Sequence, residues 1–138
     1  MQRVPSLFIA NAEPKGRGVY TASEIPLGSI IEICPVLEIP KEEVEIIHNT
    51  ELHDYYFVWG NNDEMLAIAL GYGSLYNHEY DPNANFILDL VNKTIEIVAI
   101  KDIISGEEIT INYHGEPLNN EELWFDQKGQ RVKRIKAN

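Results

Sequence analysis

The sequence has little cysteine, few basic residues and no long apolar run. Its one cysteine, Cys34, excludes an internal disulfide and a zinc site built from cysteines, and it fits a reducing compartment. No apolar run approaches the roughly 20 residues of a transmembrane helix, and the N-terminal residues meet proline and charge too early for a signal peptide. We therefore expect a soluble intracellular protein with no membrane partner, cytoplasmic, or nuclear if its source is a eukaryote or a virus.

Acidic residues outnumber basic ones by two to one. There are 22 Asp and Glu against 11 Lys and Arg, a formal net charge of −11. Five of the basic residues lie in 128–138, so residues 1–127 hold six basic and 22 acidic residues and carry −16. Such a field repels phosphate backbones and attracts cations. It disfavours nucleic acid as a direct ligand and allows a Lys-rich protein partner, although acidity that only aids solubility stays an alternative.

Short apolar segments separated by turn signals predict a mostly β domain. The clearest element is a hairpin in which NFILDLV and TIEIVAI are joined at Asn92-Lys93. In the run KEEVEIIHNTELHDYYF, residues 41–57, apolar residues recur near helical spacing and predict one or two short helices. We expect one domain over residues 1–126, followed by a basic, flexible tail over 127–138.

Three polar or glycine-rich segments interrupt this pattern. The Gly-x-Gly of GRGVYTASEIPLGSII lets a backbone approach a ligand closely, although most such pairs are only turns. The polar stretch SLYNHEYDPNANF lies between an apolar run and a strand, where its amides and imidazole need hydrogen-bond partners. The adjacent acids Glu107 and Glu108 point to opposite faces of a strand and are expected to be solvated. The four histidines have no regular ligand spacing, so no metal is expected.

Taken in order, three segments resemble the SET domain of protein lysine methyltransferases. GRGVYTASEIPLGSIIEI is similar to the opening motif of that family, LYNHEYDPNA to its F-I-N-H-S-C-x-P-N, and IVAIKDIISGEEITINY to its A-x-R-D-I-x-x-G-E-E-L-T-x-D-Y. The resemblance covers about residues 7–115 and is to compact bacterial or viral-type members without pre-SET and post-SET cysteines. It implies a SET-domain, β-clip-like fold of several short strands in small sheets, with a pseudoknot and one or two short helices.

The resemblance also implies an activity. It is the transfer of methyl groups from S-adenosyl-L-methionine to the lysine ε-amine of a basic protein, which is histone-like, ribosomal or otherwise rich in lysine. A non-catalytic SET or β-clip-like module that binds a basic peptide or protein is the alternative, and the presence of Asn77 and Tyr113 favours the enzyme. Compact relatives dimerise, so a homodimer is consistent with the resemblance.

Site residues follow from the same motifs. Arg17 and Gly18 would meet the cofactor through their backbone, and Asn77 would hydrogen-bond its methionine moiety. His78 would contact the cofactor through its main chain while its imidazole braces the knot, and Tyr113 would be the catalytic tyrosine. Three further aromatic residues are expected beside the cofactor: Tyr20, Trp124 and Phe125.

The substrate lysine is expected to lie among Phe86, Ile111 and Tyr76. Phe86 and Ile111 stand at positions where members of the family carry a tyrosine, or a Phe or Tyr that limits methylation. Because neither residue has a hydroxyl to hold a water against the amine, we predict a roomy pocket that permits di- or trimethylation. The sequence departs from the family pattern at Glu79-Tyr80, where Ser-Cys is usual, so the packing of the knot or the charge near the substrate is expected to differ.

Overall fold

The computed structural model describes residues 2–113, which form nine short β-strands, one short α-helix and three 3-10 turns. The strands are β1 (Leu7–Asn11), β2 (Arg17–Thr21), β3 (Ile30–Ile39), β4 (Tyr56–Trp59), β5 (Met65–Ala69), β6 (Asn77–His78), β7 (Ala84–Asp89), β8 (Thr94–Ala99) and β9 (Glu108–Ile111). The helix α1 is Val44–His48, and the 3-10 turns are Lys41–Glu43, Glu51–Asp54 and Gly73–Leu75. The prediction of a mostly β domain is confirmed.

Five strands form an antiparallel sheet in the order β4-β5-β3-β8-β7. Its central strand β3 is ten residues long, so one part of it pairs with β8 and the rest with β5. The predicted hairpin is confirmed as β7 and β8, which pair from Ala84↔Ala99 to Asp89↔Thr94. In its turn, the carboxylate of Asp89 accepts the backbone N–H groups of Val91 and Asn92 at 3.1 and 2.9 Å.

The remaining four strands form a sheet in the order β1-β2-β9-β6. The strand β9 comes last in the described chain yet lies between β2 and β6, antiparallel to the first and parallel to the second. The parallel pair is short and joins Asn77 to Thr110 and His78 to Ile111. The short apolar segments SLFIA, GVYTA and EITINY, typical of strands, contain the other three strands of this sheet, whereas Asn77-His78 lies in the stretch that the sequence marks only as polar.

Asn83 completes the enclosure of β9. Its Nδ2 donates to the carbonyl of Glu108 at 2.8 Å, and its Oδ1 accepts the backbone N–H of Thr110 at 2.9 Å. One side-chain amide therefore imitates the donor and acceptor of a neighbouring strand. The backbone N–H of Glu79 also donates to the carbonyl of Ile111 at 2.9 Å. Strand β9 is thus held by β2, by β6 and by the segment 79–83, the arrangement that the pseudoknot requires.

The core lies between the two sheets. Buried residues alternate along β8, where Ile95, Ile97 and Ala99 have exposures of 1% or less. The same core cluster takes Val19 from β2 and Ile109 from β9, so both sheets contribute to it. Burial of such aliphatic side chains stabilises the fold by roughly 1.5–3 kcal/mol each. The core therefore fixes the position of β9 relative to the five-stranded sheet.

The helical prediction over residues 41–57 is right at its beginning and wrong at its end. Helix α1 and two 3-10 turns occupy 41–54, and the hydroxyl of Thr50 caps the second turn by accepting the N–H of Leu52 at 3.2 Å. Tyr56 and Phe57 instead begin β4, which pairs with β5. Both side chains are buried in that sheet, so burial by a distant strand overrides the local helical spacing. Within residues 2–113, no helix is long and apolar enough to cross a membrane.

Candidate active site

Asn77 lies at the start of β6, is fully buried, and reaches both β9 and β2 with its side chain. Its Nδ2 donates to the carbonyl of Arg17 at 3.1 Å and to Oε2 of Glu108 at 2.7 Å. Both partners are acceptors, so the amide nitrogen must face them and the amide orientation is fixed. Its Oδ1 is buried and has no hydrogen-bond partner among residues 2–113. An unpaired buried acceptor costs about 1–3 kcal/mol, which makes this oxygen a natural acceptor for a ligand N–H.

Gly18 makes room for this arrangement. A Cβ at Gly18 would meet Oε2 of Glu108 and would lie 2.7 Å from Nδ2 of Asn77, closer than real Cβ atoms approach. The hydrogen bond between Asn77 and Glu108 therefore needs a glycine on the facing strand. The second glycine of the Gly-x-Gly motif is thus required by packing around the site and is more than a turn residue.

A partly buried cluster of charges borders Asn77. Nζ of Lys15 lies 3.1 Å from Oε1 of Glu108 and 3.4 Å from Oε2 of Glu79, and the Lys15 side chain is 23% exposed. Sequence reasoning missed both Lys15 and Glu108. The prediction of a solvated acidic pair is wrong for Glu108, although Glu107 does face away and accepts the N–H of Ile104 at 2.7 Å. The sequence feature that could have indicated Lys15 as a site residue is its position directly before the Gly-x-Gly motif.

Tyr20 and Arg17 border the same region from β2. Tyr20 follows Gly18 by two residues, so the two lie on the same face of the strand. Its hydroxyl donates to the carbonyl of Asn11 at 3.4 Å, and its ring stacks on Phe8 at 5.7 Å. Burial, followed by the negative charge of Glu108, raises the pKa of Tyr20. Arg17 contributes its carbonyl, which accepts from Asn77.

Tyr113, two residues after the end of β9, is held by three contacts. Its side chain is 1% exposed and its hydroxyl donates to the carbonyl of Tyr76 at 3.0 Å. Its backbone N–H donates to Nδ1 of His78 at 3.0 Å, and the two rings lie 4.9 Å apart. Because Nδ1 accepts this hydrogen bond, it carries no proton and is already engaged. The imidazole of His78 therefore ties β6 to the chain after β9, and its Nδ1 is not available to a substrate.

Tyr76 presents its main chain to Tyr113 and directs its side chain elsewhere. The residue is fully buried, and its hydroxyl donates to Oε1 of Glu32 at 2.7 Å. Burial, followed by the charge of Glu32, raises the pKa of Tyr76 well above its ordinary value. What Tyr76 contributes beside Tyr113 is thus the carbonyl oxygen.

The remaining predicted residues lie in apolar surroundings or beyond the described chain. Ile111 is fully buried in β9, opposite His78. Phe86 lies in β7 and packs edge-on against Phe57, with ring centroids 5.1 Å apart. Trp124 and Phe125, like the boundary at residue 126 and the basic tail, lie outside the described residues. Within residues 2–113, no three or more His, Cys, Asp and Glu side chains are grouped to hold a metal ion.

Comparison with known sequences identifies a family. Residues 16–114 match the SET domain. Over 133 residues the chain is 36% identical to the Schizosaccharomyces pombe protein named "Histone-lysine N-methyltransferase, H3 lysine-37 specific", a match that covers 96% of this chain and 85% of that protein. It is 32% identical over 78 residues to "Histone-lysine N-methyltransferase SET9" of Gibberella zeae, covering 56% of this chain and 11% of that one.

Two solved structures also align with this chain. A crystal structure from Plasmodium falciparum, of a protein provisionally named a histone methyltransferase, aligns with a TM-score of 0.58 at 30% identity and covers 80% of this chain and 98% of its own. The complex "ctPRC2 in an autoinhibited conformation bound to S-adenosylmethionine" aligns with a TM-score of 0.66 at 23% identity, covering 81% of this chain and 16% of that one, and supports the fold alone. This chain belongs to the SET-domain family of lysine methyltransferases.

Proposed function

We propose that this protein transfers methyl groups from S-adenosyl-L-methionine to the ε-amine of a lysine in a basic protein, with histone H3 as the first substrate to test. The observation that carries the proposal is the parallel pairing of β6 with β9. It brings Asn77, with its unpaired buried acceptor, into one site with Tyr113, whose hydroxyl is held on a carbonyl. The name of the Schizosaccharomyces pombe relative supports a histone, and the net charge of −11 suits a cationic partner.

The residues around Asn77 fit the methionine part of the cofactor. Oδ1 of Asn77 needs a donor, which the α-ammonium group of the cofactor has. Lys15 and Glu108 bring opposite charges to the same place, so that Lys15 would face the α-carboxylate and Glu108 would add attraction for the ammonium. Gly18 leaves the space in which Asn77 and Glu108 are held together. When bound, the cofactor supplies a methyl group made electrophilic by its sulfonium.

The protein must also lower the cost of using lysine as a nucleophile. A lysine amine has a pKa near 10.4, so removing its proton at neutral pH costs about 4.6 kcal/mol. Apolar walls disfavour the charged form, and Ile111 and Phe86 are suited to form them. Tyr113 would orient the reacting groups through its fixed hydroxyl, which favours an in-line approach. Since Nδ1 of His78 already accepts the N–H of Tyr113, we expect that the lysine gives its proton to water before transfer.

The test combines cofactor binding with product analysis. A cofactor at 100 times its dissociation constant adds roughly 2.7 kcal/mol to stability, which thermal unfolding detects readily. The full chain is then incubated with S-adenosyl-L-methionine and either histone H3 or ribosomal proteins, and the products are examined by mass spectrometry. Methylated lysine on H3 supports the proposal. Binding of the cofactor without methylation of any of these proteins, or of a host lysate, would favour the non-catalytic module that binds a basic protein.

Exhaustive turnover tests the predicted multiplicity. Phe86 and Ile111 have no hydroxyl to hold a water in the place of a methyl group, so dimethyl- and trimethyllysine are expected. Phe86→Tyr should restrict the product toward monomethyllysine, with Phe8→Tyr, on β1, as the matched control. Only monomethyllysine from the unaltered protein would contradict the prediction.

A further inference from the structure

A buried carboxylate lies behind the site, on the central strand of the five-stranded sheet. Glu32 is 3% exposed. Its Oε1 accepts the hydroxyl of Tyr76 at 2.7 Å, and its Oε2 accepts the backbone N–H of Tyr72 at 3.0 Å. The guanidinium of Arg3 lies 3.4 Å from the same Oε2. A buried charge is tolerated only when it is paired and hydrogen-bonded, and these three donors meet that need.

Tyr76 connects this carboxylate to Tyr113. The hydroxyl of Tyr76 is bonded to Glu32, and its carbonyl accepts the hydroxyl of Tyr113 at 3.0 Å. Tyr76 is extended, with φ −67° and ψ 127°, at the end of the 3-10 turn Gly73–Leu75. One residue is therefore held at the tip of its ring and at its carbonyl. Because the ring and the carbonyl share one Cα, a displacement of the buried ring that shifts this Cα would also shift the carbonyl.

We propose that Glu32 is a positioning residue for Tyr113, because it holds the ring of Tyr76 and thereby aims the carbonyl that receives the Tyr113 hydroxyl. The inference rests on the proposed methyl transfer, in which that hydroxyl orients the reacting groups. The raised pKa of Tyr76 is consistent with it, since a tyrosine that stays protonated remains a donor to Glu32 at every working pH.

Arg3 makes this chain of contacts accessible from the surface. Its guanidinium stacks 4.0 Å from the centre of the Tyr72 ring, and its side chain is 40% exposed. Arg3, Tyr72 and Glu32 line a cavity of about 490 Å³ that opens beside the N-terminal segment. Gly71 permits the close packing, because a Cβ there would meet Oε2 of Glu32. We therefore expect that loss of the Arg3 charge weakens the hold on Tyr76 less than a change at Glu32 itself.

The decisive comparison is Glu32→Gln against Glu38→Gln. Glu38 lies on the same strand, accepts Nε1 of Trp59 at 2.9 Å and lies 3.5 Å from Nζ of Lys93, so it too joins an aromatic donor to a cation. Its contacts do not lead to Tyr113. Glu32→Gln is expected to lower kcat about tenfold while KM for cofactor and peptide stays within about twofold, since misplacement of a reacting group acts on the chemical step. Glu38→Gln should leave kcat unchanged.

Tyr76→Phe tests the same proposal with a second variant. It should lower kcat as Glu32→Gln does, and the double variant should be little worse than either single one, because both changes break one chain of contacts. Arg3→Ala should reduce kcat by about twofold to threefold. A pure loss of stability would change the amount of folded protein and leave kcat per folded molecule unaltered.

A readout without turnover separates this inference from the proposed function. Tyrosine labelled at 13Cζ reports the environment of each hydroxyl by NMR, and Tyr113→Phe assigns the resonance of Tyr113. That resonance should shift in Glu32→Gln and Tyr76→Phe but not in Glu38→Gln. If the unaltered protein methylates nothing, the proposed function fails and the resonance still decides the positioning role. Unchanged kcat together with an unchanged Tyr113 resonance overturns the inference. If Glu32→Gln does not fold, Tyr76→Phe and Arg3→Ala are judged by the same criterion.

Discussion

The two sheets of this protein are stabilised in different ways. In the five-stranded sheet every pairing is antiparallel, and strand β8 buries alternate aliphatic residues such as Ile95 and Ile97. In the four-stranded sheet β1, β2 and β9 pair antiparallel, but only a two-residue parallel contact holds β6 to β9, and polar side chains add further bonds around β9. Asn83 replaces a neighbouring strand, and His78 accepts a backbone N–H beyond the end of β9.

Because of this difference, the two sheets should not tolerate substitutions equally well. Apolar alternation tolerates many substitutions of similar volume, because burial is not directional. Side-chain amides and imidazoles depend on one geometry, and a lost partner leaves a buried polar group unpaired. We therefore expect changes in the four-stranded sheet to impair binding and catalysis, and comparable changes in the five-stranded sheet to act mainly on stability.

The largest effect is expected from Gly18→Ala. The added Cβ would displace Asn77 or Glu108, so affinity for S-adenosyl-L-methionine should fall at least about 100-fold. Gly106→Ala is the matched control, since its added Cβ meets no atom within 4 Å and only the positive φ of 91° is strained, at roughly 1–2 kcal/mol. Isothermal titration with the cofactor measures both. Equal affinities in the two variants would show that the space at Gly18 is not needed.

Tyr113→Phe should have the next largest effect. Loss of the hydroxyl held by Tyr76 should lower kcat about 100-fold, with cofactor affinity nearly unchanged. Tyr56→Phe in the five-stranded sheet removes the hydroxyl of another buried tyrosine, which lies 2.9 Å from Nδ1 of His48, and should leave kcat unaltered. Single-turnover rates on the same histone compare the two. Normal turnover in Tyr113→Phe would remove this residue from the catalytic role.

Asn83→Ala tests the amide that stands in for a strand. Two part-buried bonds to the backbone of β9 disappear, so the free energy of unfolding should fall by about 2 kcal/mol. Asn85→Ala, two residues later on β7, changes a side chain that makes no hydrogen bond within residues 2–113 and should cost less than about 0.5 kcal/mol. Urea denaturation gives both values. Similar losses would mean that Asn83 adds nothing specific to the four-stranded sheet.

The same contrast explains what could be predicted from the sequence. The β7–β8 hairpin is encoded locally, by alternation on both sides of a turn, and was predicted with its turn residues. Strand β4 was missed because Tyr55 or Tyr56 continues the helical spacing of residues 44–52, and only pairing with β5 decides against a helix there. Local patterns carry no information about which distant strand will be the partner.

Prediction of the site residues from the sequence was limited in the same way. The motifs identified Asn77, His78 and Tyr113, and the resemblance to a family supplied their roles. Glu108 was placed in solvent, because nothing local shows that β9 lies between β2 and β6 and directs that carboxylate at Asn77. Lys15 was missed for the same reason, since its partner Glu108 is remote in the sequence. Contacts that depend on a parallel pairing between distant segments were inaccessible to pattern reading.

The smallest expected effect concerns pH and a turn of the five-stranded sheet. The backbone N–H of Asn92, followed by its side chain, lowers the pKa of Asp89 below the ordinary value of 3.8. A carboxyl group whose pKa is lowered by folding stabilises the protein fully at pH values above its pKa in the unfolded state. This stabilisation is lost as the pH falls through its pKa in the folded state. Asp89→Asn should therefore reduce the difference in urea midpoint between pH 7 and pH 3, and an unchanged difference would contradict this prediction. The loss in Asn83→Ala should be the same at both pH values, because neither its amide nor the backbone groups of β9 titrate. A pH-dependent loss there would mean that Glu108, whose carbonyl accepts from Asn83, also moves when that bond is broken.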